Sequence, residues 1–178
     1  MTRGYIHVTN PAGQGPAGVQ GPTGPAGSSG ISTTASASYW SNQTQGPFTA
    51  NSVQAMTLNN TDWQQGMILQ NSSQIKMTAA GKYNIMFSAQ IEQQQSSGIV
   101  NIWLRKNGTD VPDSNTRVNI AASSPYVVAA WNFFVNSSIN DYYEIMWSSS
   151  SANTILESAT YNTFPKIPSV ILTVNQVG

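Results

Sequence analysis

Cysteine is absent from the 178 residues, which excludes a disulfide framework and any thiolate metal site. Histidine occurs once, as His7. It has no partner near it in sequence, so a Ser-His-Asp arrangement is not credible, and the expected place for it is solvent or an anchoring contact. Charge is scarce: Asp, Glu, Lys and Arg make up 8% of the chain, against a usual level of about 25%. Seven basic residues balance seven acidic ones, so no net field steers the chain towards nucleic acid or acidic lipid. Neither partner is expected. Long apolar runs are missing too. No stretch approaches the roughly 20 residues of a membrane span, and the opening MTRGYIHVTNPAGQ lacks the apolar core of a secretory leader. Helical apolar periodicity never persists beyond a turn or two. Solubility therefore falls to Ser, Thr, Asn and Gln, a profile of extended, exposed structural proteins built from strands.

What is present begins with glycine at every third position. Gly15, Gly18, Gly21, Gly24, Gly27 and Gly30 are in phase, with Pro16, Pro22 and Pro25 among the intervening residues. This is the period of a collagen triple helix, where only glycine fits at the axis on which three chains meet. One chain cannot use the pattern, so it implies a homotrimer. The competing reading is a proline- and glycine-rich linker with polyproline II character. Five triplets are too few to hold three chains together, so another part of the molecule must trimerise them. At about 3 Å per residue the segment is a spacer of roughly 50 Å.

The chain is expected to have three parts. Residues 1–12 form a leading arm whose sizeable apolar groups are Tyr5, Ile6 and Val8, candidates for an anchor added to a partner's sheet edge. The bland alternative is a disordered terminus. Residues 13–30 are the collagen-like stalk, and residues 31–178 are long enough for one head domain with a single core. In the head, strands are expected at 82–91, 99–105, 126–135, 142–147 and 169–177. Weaker ones are expected at 53–58, 67–70, 74–78, 116–120 and 154–157. Tyr83, Ile85, Phe87, Ala89 and Ile91 alternate along the first. Turn signals separate them, among them Asn107-Gly108 and Asn140-Asp141. About ten short strands without a helix predict an all-β sandwich or jelly roll. In the strand at 126–135, Trp131 and Phe133 share one side while Phe134 lies on the other. Apolar groups on both faces suggest burial against neighbouring subunits, so Trp131, Phe133 and Phe134 are candidate trimer-interface residues.

Four segments carry a family likeness: Thr78-Ala-Ala-Gly81-Lys-Tyr83-Asn-Ile85-Met-Phe87, Ile102-Trp-Leu104-Arg-Lys106-Asn107-Gly108, the stretch from Phe133 to Ile145, and the closing Ile167-Pro168-Ser-Val-Ile-Leu. With a collagen-like stalk ahead of them, they resemble the complement-q and tumour-necrosis-factor-like superfamily, with Asn140 standing where that family has glycine in a Gly-Asp turn. The resemblance implies a ten-stranded jelly-roll head assembled as a homotrimer. More narrowly, the head resembles those of bacteriophage virion proteins. That implies a non-enzymatic trimeric fibre or knob on a capsid or tail, bound through the N-terminal arm to other virion proteins. It would be assembled in the host cytoplasm and displayed on the virion surface. A spore-surface filament shares the same architecture.

Chemistry is weighed and mostly set aside. No catalytic residue, cofactor or metal is expected. Asp141 and Glu144 could pair for glycoside chemistry, but their spacing across a turn and strand reads as solvated edge charges. Asp110, Asp113 and Asn115 could offer oxygens to calcium, yet the spacing fits no EF-hand and an Asx-turn explains it. Five Asn-x-Ser/Thr sequons, at Asn42, Asn59, Asn71, Asn107 and Asn136, follow from composition and mean little without a secretory route. Trp63, Trp103, Trp131, Trp147, Tyr142, Tyr143 and Tyr161 could stack on sugars, though core and interface roles are commoner. The loops at 93–98, 110–115 and 148–153 are the candidates for reading a host-surface glycan. A depolymerase would need a carboxylate-rich groove that the chain lacks.

Overall fold

Alternation governs the longest strands, and it decides which side chains enter the core. The computed structural model describes Met1, Gly21 and residues 34–46, 49–122 and 125–178. The chain divides into two units, Met1–Ser32 and Thr33–Gly178. All the strands belong to the second: β1 (Ser36–Ser41), β2 (Gln54–Ala55), β3 (Asn60–Gln65), β4 (Met67–Gln70), β5 (Gln74–Met77), β6 (Gly81–Gln93), β7 (Gly98–Lys106), β8 (Thr109–Asp110), β9 (Thr116–Ile120), β10 (Tyr126–Ser137), β11 (Tyr142–Ser149), β12 (Thr154–Leu156) and β13 (Val170–Gln176). No helix occurs among the described residues.

The strands form two antiparallel sheets. One runs β10-β6-β13-β1-β3, with β12 beside the end of β6. The other runs β4-β5-β11-β7-β8, with β2 on β11 and β9 on β7. Stacked face to face, they make the all-β jelly-roll sandwich expected from the strand pattern. The inner faces supply Tyr83, Ile85 and Leu172 from the first sheet and Ile102, Tyr143 and Trp147 from the second, all essentially without solvent contact. Each such side chain contributes about 1.5–3 kcal/mol through burial, and together they form one continuous core.

Two elements are not apparent from local sequence. No strand is expected ahead of residue 53, but Ser36–Ser41 is a strand enclosed between β13 and β3. Its small residues hide the alternation. Ala37, Tyr39 and Ser41 point inward, and only Tyr39 is large. Asn60–Gln65 is likewise a strand, held through its pairing with β1 despite its polar composition. Conversely, the stretch at 53–58 keeps only Gln54–Ala55 as strand. Gly66, between β3 and β4, has φ +74°, and a Cβ placed there would lie 2.3 Å from the Cβ of Ala35. Only glycine suits both the backbone and the space.

Candidate functional site

The sandwich presents two outer faces of different chemistry. On the β10-β6-β13-β1 face, register brings Ala130, Ser88, Ile171 and Trp40 into one row, and Asn132, Met86, Thr173 and Ser38 into the next. Neither β10 nor β13 contains a charged residue. Its exposed apolar groups are Phe134, 70% exposed, Tyr126 and Val128, 58% each, and Ile171, 41%. Asp62 at the β3 edge is occupied, accepting from Ser38 Oγ at 2.8 Å and Trp40 Nε1 at 2.9 Å.

The three residues expected at a subunit interface separate in the structure. Trp131 and Phe133 face into their own sandwich, where Phe87 meets Trp131 edge-on at 4.7 Å and Phe133 in a stacked arrangement at 6.3 Å. Phe134 stands alone on the outer side. The other expected residues of the arm and stalk, Tyr5, Ile6, Val8, Gly15, Gly18, Gly24, Gly27 and Gly30, lie outside the described residues, as does His7. Gly21 is described but belongs to no strand.

The opposite face, on the β11-β7 sheet, holds a shallow cavity of about 390 Å³, largely open to solvent. Asn101 and Trp103 of β7 and Ser148 of β11 form its floor, with Val53 on one side and Asp113 and Asn115 on the other. Alternation explains the floor. Val100, Ile102 and Leu104 turn into the core, which leaves Asn101, Trp103 and Arg105 facing out. The wall is braced. Asn107 and Gly108 close the β7–β8 hairpin with φ values of 51° and 80°, a turn geometry that matches the twist of the flanking strands. Past it, Ser114 Oγ accepts from Leu104 N–H at 3.1 Å and donates to the Val111 carbonyl at 2.7 Å, pinning the loop to β7. Asp110 Oδ1 accepts from both Trp103 Nε1 (2.8 Å) and Arg105 Nε (2.7 Å). Those two bonds, Arg105 first, lower the Asp110 pKa below the usual carboxylate value.

The candidate chemistries resolve differently. Asp141 and Glu144 do not converge. Asp141 caps a turn, meeting Lys106 Nζ at 2.7 Å, Asn107 Nδ2 at 2.8 Å and the Ser138 N–H at 2.8 Å. These bonds, Lys106 first, hold its pKa down at about 2. Glu144 is buried and accepts from Ser73 Oγ at 2.8 Å. The expectation of solvated edge charges therefore fails for both, because the strand ends here pack against polar side chains that satisfy the carboxylates. Among the described residues no group of three or more His, Asp or Glu could hold a metal ion.

The aromatic residues also divide. Trp147 and Tyr143 are core, Trp63 and Tyr161 are exposed, and Trp103 lines the cavity. Two of the candidate loops meet: Gln94 N–H donates to the Asn153 carbonyl at 2.9 Å and Gln93 Nε2 to Ser151 Oγ at 3.1 Å. Gln93 itself is buried, with a short bond from Thr154 Oγ1, so it is strand end and not loop tip. Asn101 and Val53 are not singled out by the sequence. The alternation of β7 exposes Asn101, but nothing local announces that Val53 crosses to meet it.

Order and pairing of the strands define a jelly roll of the tumour-necrosis-factor-like type. Solved structures agree in fold. Murine APRIL superposes with a TM-score of 0.53 and 9% identity in crystals at pH 8.5, covering 81% of this chain and 99% of that one. Its structures at pH 5.0 and pH 8.0 give 0.51 and 0.53, at 7% and 8% identity, over the same shares of each chain. No family model and no curated relative matches the sequence.

Proposed function

We propose that this protein is a non-enzymatic structural module, a trimeric jelly-roll head on a short collagen-like stalk, serving as a surface fibre or knob of a bacteriophage particle. The observation that carries the reading is the outer face of β10, β6 and β13, charged only at the two ends of β6 by Lys82 and Glu92. Phe134, Val128 and Ile171 are exposed upon it. Burial of such a face between copies is what a head must supply when the stalk has too few triplets to trimerise alone. The glycine period at 15–30 demands three chains, and therefore the occupant of that face is a second copy of this chain. Trimerising heads raise the local concentration of the stalks, which favours their winding. The leading arm then attaches the assembly to other virion proteins, on capsid or tail.

Light scattering on the full chain tests the assembly. A mass of three times 19.1 kDa is expected, and a clean monomer would overturn the reading. Immunogold labelling of purified phage particles tests the location. A second reading, a receptor-binding tip that engages host-surface glycan, is favoured by the braced cavity around Trp103.

A further inference from the structure

The cavity on the β11-β7 sheet has a chemistry of its own. We infer that it is a binding subsite for an uncharged pyranose unit of a host-surface polysaccharide, seated on the Trp103 indole. The inference deepens the glycan-binding reading and rests on it.

Four observations converge. First, the volume of about 390 Å³ lies in the range of small-ligand sites, roughly 300–1,000 Å³. Second, the only polar atom of the Trp103 side chain is already bonded to Asp110. What the indole offers the cavity is therefore apolar ring, fixed in orientation by that bond. A pyranose carries an apolar face of axial C–H groups that suits such a platform, and an aromatic surface held rigid loses little entropy on binding. Third, Asn101, Asn115 and Ser148 bring both donors and acceptors to the cavity, the mixture that hydroxyl groups require. The bond between Asn115 and Asn101 is long, 3.4 Å, which leaves most of both amides' bonding capacity for a ligand. Val53 supplies an apolar wall.

Fourth, charge selects the class. No basic side chain lines the cavity among the described residues, and the neighbouring Arg105 is neutralised by Asp110 at 2.7 Å. Asp113, whose backbone is left-handed with φ 59°, adds a carboxylate to the lining. An anionic sugar would meet this carboxylate with no cation to offset it, so sialylated and phosphorylated units are disfavoured. The cavity lies on the sheet that does not carry the apolar face. In the proposed trimer three copies would act together, and modest single-site affinity becomes useful through avidity.

The test uses the full-length protein on a printed array of neutral hexose and N-acetylhexosamine oligosaccharides, with sialylated and phosphorylated oligosaccharides as comparators. Binding to a subset of the neutral set is expected. Trp103→Ala should reduce it at least about tenfold, the equivalent of one aromatic contact. Asn115→Ala leaves the indole and core untouched and should weaken binding by several-fold. Melting temperature and light-scattering mass are measured on each variant, and Asn115→Ala carries the test should Trp103→Ala unfold. Silence across the neutral set, binding confined to anionic sugars, or binding unchanged in a folded Asn115→Ala and Trp103→Ala pair would each overturn the inference. A trimer that binds nothing sinks only the subsite, whereas a monomer that binds neutral sugar sinks only the assembly.

Discussion

Asp141 shows how one carboxylate can organise a turn. Lys106, Asn107 and the Ser138 N–H all meet it, and its pKa falls to about 2, from about 3.9 in an unfolded chain. A depressed folded value stabilises the native state above the unfolded pKa, and the contribution is lost as pH falls through the folded one. The head should therefore lose stability between about pH 4 and pH 2. Asp141→Asn should flatten that limb in melting curves recorded across the range, while lowering the melting temperature at pH 7. Gly66 acts by backbone alone. Gly66→Ala meets both a left-handed φ and the Ala35 side chain, so urea unfolding should show a loss of about 1–3 kcal/mol. A change under about 0.5 kcal/mol, the range of an ordinary surface substitution, would mean that the chain relaxes there freely.

Among the elements, β1 is the instructive case. It has few large apolar groups, and yet it lies between β13 and β3 through register pairs such as Tyr39 with Leu172. Tyr39 is fully buried, its hydroxyl bonded to Gln64 at 3.2 Å and its pKa pushed up to about 12 by desolvation. Tyr39→Ala should destabilise the head by about 3 kcal/mol or more, by analogy with other buried aromatic truncations, as read by denaturant titration. Strands with larger apolar groups behave as their patterns predict. β6 places Tyr83, Ile85, Phe87, Ala89 and Ile91 on the core side, and Asn140 adopts φ 72°, the left-handed conformation that glycine would supply in such a turn. β1 and β3 are illegible locally because their place in the sheet comes from partners elsewhere in the chain. Residues 36–41 pair with 170–175, a contact no local window contains.

In the proposed assembly, self-association and glycan binding use different surfaces of the head. Phe134→Asp places a charge at the most exposed aromatic of the outer face and should shift the light-scattering mass towards the monomer without unfolding the head. Gly21→Arg should abolish the triple-helical circular dichroism of the proposed stalk and leave the light-scattering mass of the full chain at that of a trimer. Equal loss of association in both variants would remove the division of labour between head and stalk. The class of fold is legible in the residues alone, because period-2 alternation is a local pattern with few physical solutions, and the glycine at every third position is the local pattern on which the proposed trimer rests. Which aromatics are already engaged is a matter of tertiary packing. Trp131 and Phe133 pack inside, Phe134 remains outside, and Trp103 floors a cavity whose walls come from Val53, just ahead of β2, and the 111–115 loop. Alternation assigns a side chain to a face, but what covers that face is set by pairing across more than a hundred residues, as when Ser36 meets Asn175.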